Sequence, residues 1–369
     1  MMLAPDVAET RWRALRAAMA TADLDVVAIV PGANFLYLTG GTFGAMERPT
    51  VLIIPREGEA RMVLPSFEEA TWRKLSVDAR VHLWKDQEGY SGAFRAAADA
   101  LRPKRIGVEG QRMRVFEEIA VATALGGAII DAHREISAIR LRKDASEIAA
   151  LRQAIAISEA ALAATLPDVR VGMRELDVER LLLANLFGQG APALAFPPIV
   201  VAGANAAEAH AAAGDCRIKS GDTLLFDYGA AYKGYNADIT RTVFVGEPDA
   251  EARAMYATVE EANRIGRAAA KPGVTASEVD DITTRFLEAS PFRQHILTKT
   301  GHGLGLDVHE APQIMRGNHQ VLEPGMVCTI EPGLYPAALR GIRIEDDVVI
   351  TETGSESLTG FPRELTVVG

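Results

Sequence analysis

Two histidines stand seven positions apart in Thr300-Gly301-His302-Gly303-Leu304-Gly305-Leu306-Asp307-Val308-His309-Glu310. Glycine lets a backbone come close to a ligand, and imidazole is a common metal ligand and proton carrier. Taken alone, the stretch also reads as a turn with two surface histidines. The acidic residues elsewhere give it a different meaning. Asp227 and Asp238 share the segment 224–242, which reads as a hairpin turning at Lys233-Gly234. That register sets Asp227 opposite Thr240, with Asp238 diagonally adjacent on the same face. Glu331 ends the apolar run Val327-Cys328-Thr329-Ile330, just before the turn at Pro332-Gly333. In the segment 341–347, alternation puts Arg343 and Glu345 on one face and Ile342 and Ile344 on the other.

Carboxylates aimed into one apolar region make a poor core unless cations offset them. Asp227, Asp238, His302, Glu331 and Glu345 supply four carboxylates and one imidazole. Two divalent ions would balance that charge. An oxygen-rich site with one nitrogen suits Mn, Co, Fe or Zn better than a thiolate-preferring metal. Metals paired about 3.5–4 Å apart activate water and polarise a carbonyl.

The order Asp227, Asp238, His302, Glu331, Glu345 resembles the dinuclear-metal peptidases of the pita-bread fold, which include methionine aminopeptidase, aminopeptidase P and prolidase. The words Asp238-Ile239-Thr240-Arg241-Thr242, Gly301-His302-Gly303, His309-Glu310, Glu331-Pro332-Gly333 and Arg343-Ile344-Glu345-Asp346 are similar to the Xaa-Pro branch in particular. The likeness covers roughly residues 150 to 369 and continues more weakly over the N-terminal third.

The resemblance implies roles. Asp227 would chelate one metal, His302 and Glu331 the other, and Asp238 and Glu345 would bridge. Glu331 would double as proton shuttle. His309 and His210 would contact the substrate and the tetrahedral intermediate. His210 lies 17 residues before Asp227, as the family has it, but follows Ala209 where proline is usual. Phe196 matches an aromatic lining the substrate pocket, and also reads as a core phenylalanine. Arg343 suits either a substrate carboxylate or the orientation of the neighbouring bridging ligand, with an ion pair to Asp346 or Asp347 as the plainer use.

The implied activity is hydrolysis of Xaa-Pro bonds at the N-terminus of short peptides by two divalent ions per chain, manganese first, with cobalt or zinc as alternatives. Proline has no amide proton and fixes φ, so such bonds need a dedicated pocket. Dipeptidase is preferred over aminopeptidase acting on longer peptides. Gln313, where some prolidases carry arginine shortly after the His-Glu pair, pulls toward the aminopeptidase. Methionine aminopeptidase normally lacks an N-terminal domain of this kind. A metal-free pita-bread hydrolase or a non-catalytic peptide- or protein-binding module is the less favoured alternative, because all five ligands are intact here.

The elements that must position these residues fall into two domains, expected at 1–137 and 138–369. In the first, a helix over 11–22 precedes strands over 26–30 and 50–54, a helix over 67–75, a strand over 80–83, a helix over 91–101, a strand over 105–109 and a helix over 115–125. That alternation implies a layered α/β domain. The resemblance makes it a creatinase N-terminal-like domain that aids dimerisation and shapes the mouth of the site. His82 and His133 read as structural or surface residues. The second domain begins with a helix over 145–166, with Ile148, Leu151 and Ile155 near helical spacing and Pro167 at its end. A helix over 174–187 follows. After the hairpin come helices over 249–271 and 277–288, the latter capped by Thr275 with Glu278 in capping-box position. The whole is an α/β N-terminal domain plus an α+β pita-bread (creatinase/aminopeptidase-like) catalytic domain.

The net charge of −10 argues against nucleic acid, because phosphate binding needs a basic face. Cys216 and Cys328, the only two cysteines, lack ligand spacing and suit a reduced, cytoplasmic protein. No secretory signal is evident at the N-terminus, and no apolar run is expected to span a membrane. A homodimer is implied by the resemblance.

Overall fold

The computed structural model describes residues 3–75, 77–208 and 211–369, so His210 lies outside the described residues. The chain divides into two compact units, Met1–Arg140 and Leu141–Gly369.

The first unit is built on six strands, β1 (Val26–Ile29), β2 (Val51–Pro55), β3 (Ala60–Pro65), β4 (Ala79–Trp84), β5 (Arg105–Val108) and β6 (Ala128–Asp131), in the order β4-β3-β2-β1-β5-β6. β1 is central and buried throughout, which is why its Val-Val-Ala-Ile run does not alternate. It pairs antiparallel with β2 and parallel with β5. The core includes Ile53, Phe94, Ile106 and Val121. Buried Glu109 is spent structurally, accepting from Asn34 Nδ2 at 2.8 Å and Val30 N at 3.0 Å. The segment expected as a helix over 67–75 is shorter, a 3₁₀ turn (Ser66–Glu68) running into Glu69–Trp72.

The second unit opens with the helix Ala145–Thr165. Asp144 caps it, accepting from Ser146 N and Glu147 N, and Glu147 returns a bond to the Asp144 backbone. By length and composition this segment, Ala145–Asp168, is apolar enough to cross a membrane, contrary to the sequence expectation, because alanine raises its mean hydropathy. Half of it is buried in the fold, where Leu151, Ile155, Ile157 and Leu162 join a core with Val178, Leu182, Phe226 and Ile239.

Its strands are β7 (Ala193–Leu194), β8 (Ile199–Ala202), β9 (Asp222–Tyr228), β10 (Ala230–Tyr232), β11 (Tyr235–Asn236) and β12 (Ile239–Val245). After the helices Ala250–Ala269 and Ala276–Glu288 come β13 (Gly301–Gly303), β14 (Glu310–Ile314), β15 (Val327–Ile330), β16 (Gly333–Leu334), β17 (Ile342–Arg343), β18 (Asp346–Ile350), β19 (Ser355–Ser357) and β20 (Val367–Val368). Two larger sheets result, β20-β12-β9-β8 and β14-β13-β15-β18-β19. Thr275 and Glu278 form the capping box that their spacing implies.

The hairpin turns where expected. Lys233 and Gly234 both take positive φ, at 53° and 84°, between paired Tyr232 and Tyr235, which is the geometry of a tight primed turn. Asp227 pairs with Thr240. The ladder is not continuous, however. It breaks at Gly229, where a Cβ would lie 1.7 Å from the Ala237 carbonyl oxygen. β10 and β11 therefore leave for a separate small sheet, and Asp238 sits in the break rather than in a strand.

Candidate metal centre

Five side chains converge from five places in the second unit. Asp227 stands near the end of β9, Asp238 in the hairpin break, His302 in β13, Glu331 just past β15 and Glu345 between β17 and β18. Glycine is required beside His302 because the strands approach closely. A Cβ on Gly301 would come within 2.1 Å of the Thr329 carbonyl oxygen, and one on Gly303 within 2.1 Å of that of Ala311.

The donor atoms form overlapping triads, each within 4.8 Å: Asp227, Asp238 and Glu345; His302, Glu331 and Glu345; and Asp238, His302 and His309. His302 Nε2 lies 3.3 Å from Glu331 Oε1 and 3.6 Å from Asp238 Oδ2. Its Nδ1 is 3.1 Å from the Gly303 carbonyl. An N–H donated there leaves the Nε2 lone pair facing the carboxylates, the arrangement usual for a ligating histidine. Burial, with the His309 ring beside it, pushes the His302 pKa down to about 3, so the ring is neutral.

The carboxylates are held from behind. Thr240 Oγ1 donates to Glu345 Oε2 at 2.6 Å and accepts from Arg343 Nε at 3.0 Å. Thr329 Oγ1 bonds Glu331 Oε1 at 3.3 Å. The Asp238 backbone N–H donates to Asp347 Oδ2 at 3.2 Å. Burial and mutual repulsion push Asp238 and Glu345 well above the ordinary carboxylate range, and burial takes Glu331 up to about 7 against the pull of Arg343.

These residues fit divalent cations. Four buried or half-buried carboxylates meet at one place, with Arg343 paired to Asp227 alone among them. Asp227 Oδ1 is buried and has no hydrogen-bond partner, an expense that a cation removes. Oxygen donors with one imidazole match such metals by donor type.

The surrounding cavity measures about 710 Å³ and includes Phe196, Ile199, Lys299, Val308 and His309 in its wall. Phe196 therefore faces the cavity, and His309 stacks on His302 with ring centres 3.9 Å apart. Of the uses open to Arg343, the geometry favours orienting a ligand. It is 3% exposed; Nη2 pairs with Asp227 Oδ2, Nε meets Thr240, and Nη1 donates to the Tyr335 hydroxyl at 2.9 Å. It makes no ion pair with Asp346 or Asp347 among the described residues. Asp346 faces the other way, to Arg241, Arg267 and Arg363.

Sequence reasoning did not single out Tyr335, Lys143 or Lys299, and it named Asp347 only as a partner for Arg343, not for the Asp238 backbone. Lys143 makes a buried ion pair with Glu310, the neighbour of His309. Asn236 Nδ2 donates to the carbonyls of Gly305 and Leu306 at 3.0 and 3.1 Å, fixing the same loop. Tyr335 and Lys299 lie a few residues from Glu331 and His302, which was their one signal, and Lys143 had none.

The fold and site together are those of a metallopeptidase. The description "Metallopeptidase family M24" matches residues 149–352, and "Creatinase/Prolidase N-terminal domain" matches residues 11–142. The chain belongs to metallopeptidase family M24, with a creatinase-type N-terminal domain ahead of a pita-bread catalytic domain, and this membership implies divalent metal use. It is 35% identical over 359 residues to a probable dipeptidase PepE of Mycobacterium tuberculosis, covering 95% of each chain. Its structure is similar to the crystal structure of dipeptidase PepE from Mycobacterium ulcerans, at TM-score 0.93 and 32% identity over 100% of both chains. It is also similar to an Xaa-Pro dipeptidase from Bacillus anthracis, at TM-score 0.90 and 31% identity, covering 98% of this chain and 100% of the other.

Proposed function

We propose that the protein hydrolyses the Xaa-Pro bond of dipeptides with a pair of divalent ions, manganese first, held by Asp227, Asp238, His302, Glu331 and Glu345. The supporting observation is the overlap of the triads: Asp238, His302 and Glu345 each appear twice, and of these His302 has only Nε2 to offer because Nδ1 faces the Gly303 carbonyl, which leaves Asp238 and Glu345 as the residues that two ions would share. The likeness to the Bacillus anthracis Xaa-Pro dipeptidase supports the substrate class. When bound, the metal pair supplies Lewis acidity and an activated water.

The chain's own residues do the rest. Phe196, Ile199 and Val308 offer an apolar wall to the proline ring. As water adds to the scissile carbonyl, His309 donates to the oxygen that gains negative charge. Glu331 takes the proton of the attacking water and delivers it to the proline nitrogen as the C–N bond breaks, releasing a secondary amine. His210 belongs to this proposal as a second substrate contact by resemblance. A homodimer and a cytoplasmic location are part of the same proposal, resting on the resemblance and on two unpaired cysteines.

A panel of Xaa-Pro, Xaa-Pro-Yaa and Met-Ala peptides with Mn²⁺ tests the reading. Xaa-Pro should give the highest kcat/KM. Faster turnover of Xaa-Pro-Yaa would make the enzyme an aminopeptidase, and no Xaa-Pro cleavage with Mn²⁺, Co²⁺ or Zn²⁺ would end the proposal.

A further inference from the structure

The cavity wall carries two lysine or arginine side chains among the described residues, Arg343 and Lys299. Arg343 is committed to Asp227, Thr240 and Tyr335. Lys299 is not committed to any carboxylate. Its ammonium donates to the Gln313 side-chain oxygen, a neutral partner, and makes no ion pair among the described residues. An ammonium has three donors; one is used here, on a neutral partner.

The local fold explains the placement. Lys299 lies just ahead of β13, and β13 pairs with β14 in the register His302 to Gln313. The Gln313 amide nitrogen donates to the Glu310 carbonyl at 2.9 Å, which fixes its oxygen as the acceptor for Lys299. Gln313 therefore tethers the lysine without neutralising it. Burial pushes the Lys299 pKa down while Glu331 and Asp280 pull it back up. A half-buried cation in that position gains from an anionic ligand.

A peptide entering this cavity meets a floor of carboxylates. A dipeptide ending in proline brings a further carboxylate one residue beyond the scissile bond, and that charge needs a cation away from the ligand set. A longer peptide brings a neutral amide to the same place.

Resting on the Xaa-Pro reading above, we propose that Lys299, tethered by Gln313, binds the C-terminal carboxylate of the substrate and sets the preference for dipeptides over longer chains. The plainer role, damping repulsion among the metal-binding carboxylates, affects all substrates alike. A ratio of substrates separates the two.

The test uses both units together, as the Mn²⁺-loaded chain, with an Xaa-Pro dipeptide and its C-terminal amide. The wild type should favour the free acid. Lys299→Gln should lower the acid-to-amide ratio of kcat/KM by about ten- to hundred-fold, the scale of one hydrogen bond to a charged group, chiefly through KM. Lys299→Arg should keep most of the ratio. Gln313→Glu, which supplies Lys299 with an internal anion, should also lower it, and serves if Lys299→Gln does not fold. An unchanged ratio in the folded, metal-loaded variants overturns the assignment of Lys299. Failure of the wild type to cleave either substrate would instead overturn the Xaa-Pro reading.

Discussion

Arg343 and Asp227 form a buried ion pair at the edge of the carboxylate cluster, in which Nη2 of the arginine takes Oδ2 of the aspartate and leaves Oδ1 without a hydrogen bond. The arginine thereby uses one oxygen and presents the other. Tyr335 and Thr240 fix the guanidinium plane from two further sides.

Arg343→Lys keeps the charge but loses the planar fork that reaches three partners at once. Metal affinity should fall by roughly 10–100-fold, as when an outer partner of a ligand is removed. Calorimetric titration with Mn²⁺ measures this. The acid-to-amide ratio should stay as in the wild type, because Arg343 is spent on protein partners. A collapse of that ratio with metal binding intact would return Arg343 to the role of substrate cation.

His309 lies against His302 and within one of the donor triads, yet is more exposed than the other members. His309→Ala should lower kcat by roughly 10²–10³-fold, the scale of a lost oxyanion contact, while elemental analysis shows metal content unchanged. Loss of one metal on this substitution would make His309 a ligand.

The grouping of Asp227, Asp238, His302, Glu331 and Glu345 was legible because each sits beside a strong local signal. Lys233-Gly234 fixed the hairpin register, and Asp227 does pair with Thr240. Pro332-Gly333 marked the strand end that carries Glu331. What stayed hidden depends on contacts between segments distant in sequence. Tyr335 reaches Arg343 across a loop, and Lys143 meets Glu310 from 167 residues away. Lys299 and Gln313 face each other across β13 and β14, where an irregularity after His302 shifts the pairing. Gln313 therefore read as a missing arginine rather than as the tether of a lysine.

The Lys143–Glu310 pair is almost wholly buried, with side-chain exposures of 1% and 7%. Removing one member takes away the other's buried counter-charge, at a cost of about 3–5 kcal/mol for a buried ion pair. Lys143→Met should lower the melting temperature and also kcat, since Glu310 holds the loop that carries His309. Lys143→Met with Glu310→Leu should recover much of the stability. Full recovery of kcat in that double variant would show that the pair acts on stability alone.

The metal-free protein should become less stable as pH rises from about 5 to 8, by linkage between proton binding and folding. Glu331, raised to about 7 from an ordinary 4.5, holds its proton in the folded state where the unfolded chain has lost it. Its favourable contribution is present below its unfolded pKa and disappears as pH climbs through 7. Asp238 and Glu345 are shifted in the same direction. His302 works oppositely. Its pKa falls from 6.5 to about 3, so its contribution is present above 6.5 and is lost toward acid. Three carboxylates against one imidazole give a net fall with rising pH. A divalent cation replaces the protons, so Mn²⁺ should raise the melting temperature more at pH 8 than at pH 5. The two melting curves, with chelator and with metal, measure the difference. A metal-free protein whose stability rises steadily from pH 5 to 8 would mean that the carboxylates do not meet in one unshielded cluster.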